Sequence, residues 1–114
     1  GDGGQTRDFT HVSNAVLANL LAAAHPGTLG GEVVNIGAGV RTSVNELASS
    51  IKQRMGIGGL DPEHAPERVG EVRDSVADIS RAKDLIGYEP ITALDDGLAT
   101  TVDWYTSAMR EGIV

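Results

Sequence analysis

The 114-residue chain contains no cysteine. Disulfides and thiolate metal sites are therefore excluded, and the composition fits a cytoplasmic protein. Aromatic residues are scarce, with one Phe, one Trp and two Tyr, so Val, Ile, Leu and Ala must fill whatever core the 40% hydrophobic content builds. Positive charge is also short: nine Lys and Arg stand against sixteen Asp and Glu, for a net charge of −7. Such a field repels phosphate backbones and anionic lipid, which argues against nucleic acid or a membrane surface as partner. No apolar run is long enough to span a membrane, and no basic-then-apolar start marks a signal peptide. The first residue is Gly rather than Met, which predicts a processed, cloned or truncated piece.

Several catalytic signatures are missing as well. Gly37-Ala38-Gly39 follows a β-branched run and precedes a helix pattern. However, Thr42 occupies the place of the third glycine of G-x-G-x-x-G, and no acidic residue ends a second strand, so a tight turn explains it better. His11, His25 and His64 are far apart without ligand spacing, which predicts no metal site. No Ser-His-Asp order is present, and neither Tyr88 nor Tyr105 is followed four residues later by lysine. No residue is assigned a catalytic role.

What remains is a mixed α/β pattern, rich in helix, with a few short strands. Residues 7–12 alternate as a short strand with Phe9, and with His11 as a further candidate, on one face. Ser13 or Asn14 caps a helix over 15–25, which Pro26-Gly27 stops. Residues 32–36 read as a short buried strand between glycines. Ser43-Val44-Asn45-Glu46 has the form of a capping box opening a helix through Leu47, Ala48, Ile51 and Met55, which ends in the Gly56–Gly59 stretch. Residues 60–71 form a polar surface loop. Residues 75–79 are a strand, and Ser80 caps a short helix over 81–86 ended by Gly87. The last helix covers 94–110, with Leu98, Val102 and Tyr105 or Trp104 facing inward and Gly97 a mild flaw in its first turn.

Charged residues crowd between Glu67 and Lys83. Most of this run is adequately read as a solvated face laced with weak ion pairs. Arg68-Val69-Gly70-Glu71 has a sharper reading: an arginine, a turn and a carboxylate can hold a phosphate with one group and sugar hydroxyls with the other. Arg7, at the edge of a glycine-led strand, is similarly suited to phosphate, although Arg7-Asp8 also reads as a strand-edge pair.

Three blocks resemble nucleotide-sugar epimerases and dehydratases, the extended short-chain dehydrogenase/reductase family. They are Gly1–Ala24, then Val34-Asn35-Ile36-Gly37 with Thr42-Ser43-Val44-Asn45-Glu46-Leu47, and lastly Glu67–Tyr105, which includes Ser75–Lys83 and Gly87-Tyr88-Glu89-Pro90. The UDP-glucose 4-epimerase-like branch is the most similar. The resemblance implies an α/β fold in which residues 1–114 form the C-terminal, nucleotide-sugar-binding domain of a longer enzyme, with the NAD-binding Rossmann half missing.

By position, the resemblance implies that Arg7 and Arg68 contact the pyrophosphate and that Glu71 accepts hydrogen bonds from ribose hydroxyls. Asn35 makes a lesser contact near the nucleotide. It further implies an NAD-dependent parent, where a tyrosine base and NAD act at the sugar C4, and a homodimer. The fragment itself would be inactive, would hold no cofactor, and could self-associate through exposed apolar surface. A dTDP-glucose 4,6-dehydratase or UDP-glucuronate decarboxylase fragment is the alternative within this family, and a stand-alone non-enzymatic module the alternative outside it. Three positions depart from the family pattern: Val69 for proline, Asn14 for aspartate, and Glu71 for a shorter aspartate.

Overall fold

Order begins where glycines let the chain turn. The computed structural model describes residues 1–114, and in it β1 (Thr6–Arg7) leads to α1 (Val12–Ala23), β2 (Thr42–Ser43), α2 (Val44–Met55), α3 (Ser80–Ile86) and α4 (Leu94–Arg110). β1 and β2 pair antiparallel, Thr6 opposite Ser43 and Arg7 opposite Thr42. On its other side Thr6 bridges Asp74 in parallel sense, so β1 is the middle of three short extended pieces.

The capping box opens α2 as its sequence predicts. Glu46 N–H donates to Ser43 Oγ at 3.1 Å and Ser43 N–H to Glu46 Oε2 at 2.7 Å, which lowers the Glu46 pKa. The bounds of α4 match those read from its periodicity. α1 begins earlier than expected. His11 is its cap, accepting from Ser13 N–H, because the Ser13 and Asn14 side chains are drawn to Thr92 and Ile91 instead. Ser80 lies inside α3 and donates to Asp78 Oδ1 rather than capping.

The strands expected at 7–12, 32–36 and 75–79 are largely absent as ladders. Residues 32–36 make no backbone–backbone hydrogen bond. They nevertheless keep a strand's alternation: Val34 and Ile36 pack toward the core, while Val33 is 78% exposed. A strand needs a partner for its backbone hydrogen bonds, and this run has none within the chain.

Two apolar centres result. Ala18 of α1 and Ala82 of α3 let those helices approach closely around Ile86 and Tyr88. Gly87, at φ +69°, turns the chain at the end of α3 so that Tyr88 enters this core, its N–H donating to the Ala82 carbonyl. The buried Tyr88 hydroxyl donates to the Gly37 carbonyl at 2.7 Å. Its pKa is raised, first by burial and then by the charge of Asp8. The second centre is the seam of α2 with α4, where Leu47, Ile51, Leu94 and Leu98 face a cavity of about 360 Å³. Gly97 is no flaw there, since a Cβ on it would lie 2.8 Å from the His11 ring. Trp104 and Tyr105 do not face inward. They are 55% and 52% exposed and meet each other edge to face, because α2 is the principal neighbour of α4 and does not cover them.

The molecule is a slab of 53 × 40 × 20 Å. Its radius of gyration is 17.2 Å, against roughly 13 Å for a compact domain of this length. Only nine residues are buried, and α1 carries no charged residue yet exposes Val12, Val16 and Leu20 along one face. No helix is long and apolar enough to cross a membrane.

Candidate functional site

The β1 register carries the far end of the charged run to Arg7. Thr6 N–H donates to the Arg73 carbonyl at 2.9 Å, Ser75 N–H donates to the Thr6 carbonyl at 3.2 Å, and Thr6 Oγ1–H donates to Asp74 at 2.6 Å. Residues more than sixty apart in sequence thereby share one edge. The segment 68–71 is the turn its sequence implies, with Glu71 N–H donating to the Arg68 carbonyl at 3.2 Å and Gly70 at φ +83°.

Of the four residues singled out from sequence, the structure joins Arg7 to Glu71 directly. Arg7 Nη2 stands 3.6 Å from Glu71 Oε1, both side chains about one-third exposed at 33% and 30%. Arg7 also donates to its neighbour's carbonyl, that of Thr6, at 2.7 Å. The Arg68 side chain makes no hydrogen bond or ion pair, which leaves a free guanidinium beside Glu71. The four are divided between two cavities. Arg68 and Glu71 line one of about 120 Å³ with Gly1, Gln5, Glu67 and Arg73. Arg7 and Asn35 line the next, of about 540 Å³. The Arg7–Glu71 pair is the link between them. Asn35 is the loosest of the four, donating to the Asp78 carbonyl at 3.4 Å.

Arg73 sits at the rim in a fork on Asp2, at 2.7 and 3.0 Å. Those bonds, with the Gly4 N–H, hold the Asp2 carboxyl at about 2. Arg73 is thus committed within the chain, and Arg68 is the cation left to meet an anion.

Sequence reasoning undervalued Asp8. Its carboxylate accepts from Ala38 N–H at 2.8 Å, Gly39 N–H at 3.0 Å and Ala77 N–H at 3.2 Å, and from the Thr10 hydroxyl at 3.1 Å. One side chain therefore fastens the Gly37-Ala38-Gly39 turn and the 75–79 segment to the end of β1, which aims Arg7. The turn needs glycine for that approach: a Cβ at Gly37 would collide with the Asp8 carboxylate and lie 2.7 Å from the Ala77 methyl. Its amides are already satisfied by Asp8, so they do not offer a cradle for a dinucleotide pyrophosphate. Gln5 also escaped notice, since an isolated amide in a glycine-rich turn carries no periodic signal.

No family model matches the chain. A UDP-glucose 4-epimerase of Mycolicibacterium smegmatis is 39% identical over 105 residues, covering 92% of this chain and 33% of that protein. The crystal structure of a Thermotoga maritima UDP-glucose 4-epimerase with UDP-glucose superimposes with a TM-score of 0.85 at 39% identity, over 96% of this chain and 34% of that one. The structure of MoeE5 with UDP-glucuronic acid and NAD gives a TM-score of 0.82 at 40% identity, over 95% and 36%. A Streptomyces niveus dTDP-glucose 4,6-dehydratase is 34% identical over 92% of this chain and 31% of its own length. The chain spans about a third of the curated relatives it matches, and the helix-rich slab corresponds to the C-terminal part of epimerase structures.

Proposed function

Because the chain is a homologue of UDP-glucose 4-epimerase and related NAD-dependent epimerases, we propose that residues 1–114 are the nucleotide-sugar-binding domain of an NAD-dependent 4-epimerase acting on UDP-sugars. The supporting observation is the turn that sets unpaired Arg68 beside Glu71, with Arg7 on the other side of Glu71. Arg68 is placed to take one phosphate of the diphosphate. Arg7 takes the other when the ligand displaces Glu71 from it, and Glu71 turns its freed acceptor capacity to the ribose. A phosphate suits Arg7 better than an exposed carboxylate partner at 3.6 Å, because guanidinium–phosphate bonds are charge-assisted and bidentate. The Gly37-Ala38-Gly39 turn is closed by Asp8 and offers NAD no phosphate cradle. In this reading the cofactor and the catalytic base belong to the rest of the enzyme.

A second reading keeps the same grip but gives it to a dTDP-glucose 4,6-dehydratase or a sugar-nucleotide decarboxylase, since relatives so named cover 92% of the chain. Residues upstream of Gly1 would separate these activities.

Half a cleft covers half a ligand, and complete sites enclose most of theirs. The chain alone is therefore expected to bind UDP-glucose with a Kd of about 1 mM or weaker, and to show no turnover. Amide NMR should place the contact on residues 1–7 and 68–73, and Arg68→Ala should abolish it. Contact at another face would remove the assignment, and micromolar calorimetric affinity would show that no second half is needed.

A further inference from the structure

Gly1 and Gln5 form one wall of the 120 Å³ cavity, and Glu67, Arg68, Glu71 and Arg73 form the other. The first wall belongs to a glycine-rich turn with little stiffness of its own, so something outside it must hold it. The hold comes from the first turn of α2. Val44 N–H donates to the Gln5 carbonyl at 3.1 Å, and Asn45 N–H donates to the Gly3 carbonyl at 2.9 Å. These are two of the amides that a helix N-terminus leaves without intrahelical partners. The half-buried Asn45 side chain adds a third bond, its Nδ2 donating to the Asp2 carbonyl at 3.0 Å. The amide has one workable orientation, since the reverse would set Oδ1 against a carbonyl. Gly3, at φ +72°, makes the room: a Cβ there would collide with the Asn45 amide. Asp2 then reaches the opposite wall through its fork on Arg73.

We propose that Asn45 is a positioning residue for the nucleotide, holding the two walls of this cavity at the separation a bound ligand needs. This rests on the nucleotide-sugar reading above. Asn45 does not line the cavity, so it acts through the turn and touches no ligand itself. The tie runs in series, from α2 through the Asn45 amide to Asp2 and on to Arg73. Breaking the first link frees Gly1 and Asp2 to drift from α2. The helix does not need this side chain. Ser43 and Glu46 already cap α2, and the N–H groups of residues 44 and 45 keep their carbonyls without the amide. Its loss therefore weakens binding without loosening the fold, and it does so selectively. A nucleotide that spans both walls loses its fit. Inorganic pyrophosphate, held by Arg68 on the 68–71 turn and Arg7 on β1, does not depend on the first wall. One hydrogen bond lost from a preorganised site corresponds to about tenfold in affinity.

The test is amide-NMR titration of the chain, wild type and Asn45→Ala, with UDP and with inorganic pyrophosphate, followed to high millimolar ligand. Asn45→Ala is expected to weaken UDP about tenfold and to change pyrophosphate by less than about twofold, with the α4 amides unshifted. Gly3→Ala, whose Cβ displaces the amide, should reproduce the loss. In the Asn45→Ala background it should cost less than it does in the wild-type chain, because the collision is gone. Unchanged UDP affinity in Asn45→Ala overturns the role of Asn45 and leaves the nucleotide site standing. Equal losses for UDP and pyrophosphate overturn the role too, because they mark a general loosening. An Asn45→Ala chain that fails to fold does the same, since the side chain is then a requirement of the fold. Absence of any UDP contact in the wild-type chain overturns both the site and the role.

Discussion

Asn14→Ala is expected to lower the free energy of unfolding by about 3 kcal/mol. Asn14 has 0% exposure. Its Oδ1 accepts from the N–H groups of Ile91 and Thr92 at 2.9 and 3.0 Å, and its Nδ2 donates to the Thr92 carbonyl at 2.9 Å. Truncation strands two donors and one acceptor at the approach to α4. Asn14→Asp is the sharper variant, because the family resemblance suggests aspartate as natural there. In this chain the second carboxylate oxygen would face the Thr92 carbonyl, acceptor against acceptor, and would bury a charge. At neutral pH it should destabilise about as much as alanine. Burial raises the folded pKa of such an aspartate above its unfolded value, so the loss should shrink as the pH falls and protonation restores a donor. Urea unfolding at pH 7 and near pH 4.5 checks both; an Asn14→Asp chain as stable as wild type at pH 7 would contradict the hydrogen-bond polarity described.

Asp8→Ala is expected to cost a further about 3 kcal/mol and to loosen ligand contact as well. The substitution leaves Gly39 and Ala77 N–H without acceptors, whereas Ala38 N–H keeps the Thr10 hydroxyl at 3.0 Å. Asp8→Asn keeps the shape but turns an amide N–H toward donors, and should lose about 2 kcal/mol. Since Asp8 fixes the backbone directly after Arg7, both variants should broaden the Arg7 amide in NMR. Unchanged stability with sharp, unshifted Arg7 signals would reduce Asp8 to the strand-edge charge that its sequence neighbourhood suggests.

Local physics made part of this molecule legible. Ser43 and Glu46 announced α2, the apolar spacing of α4 gave its bounds, and Arg68-Val69-Gly70-Glu71 announced a turn between opposite charges. Elements that depend on a neighbour were not legible. Residues 32–36 have the composition and alternation of a strand, but pairing is a property of two segments, and no segment of the chain exchanges backbone hydrogen bonds with this one. The meeting of Arg7 with Glu71 depends on the Thr6–Asp74 bridge, which no local pattern encodes. Gln5, Asp8 and Asn14 were undervalued for the same reason. A single polar residue has no periodicity, and its worth lies in the donors or acceptors that a distant segment brings to it.

The thinness of the slab bears on how it comes apart. The Tyr88 centre and the α2–α4 seam share no continuous apolar interior. They are tied through Asn14 at Thr92, Asp8 at the 37–39 turn, and the His11 ring against Gly97. Polar ties of this kind transmit cooperativity poorly compared with a common core, so the two centres should melt as separate units. The calorimetric enthalpy of the chain is then expected to exceed its van't Hoff enthalpy, the mark of a transition that is not all-or-none.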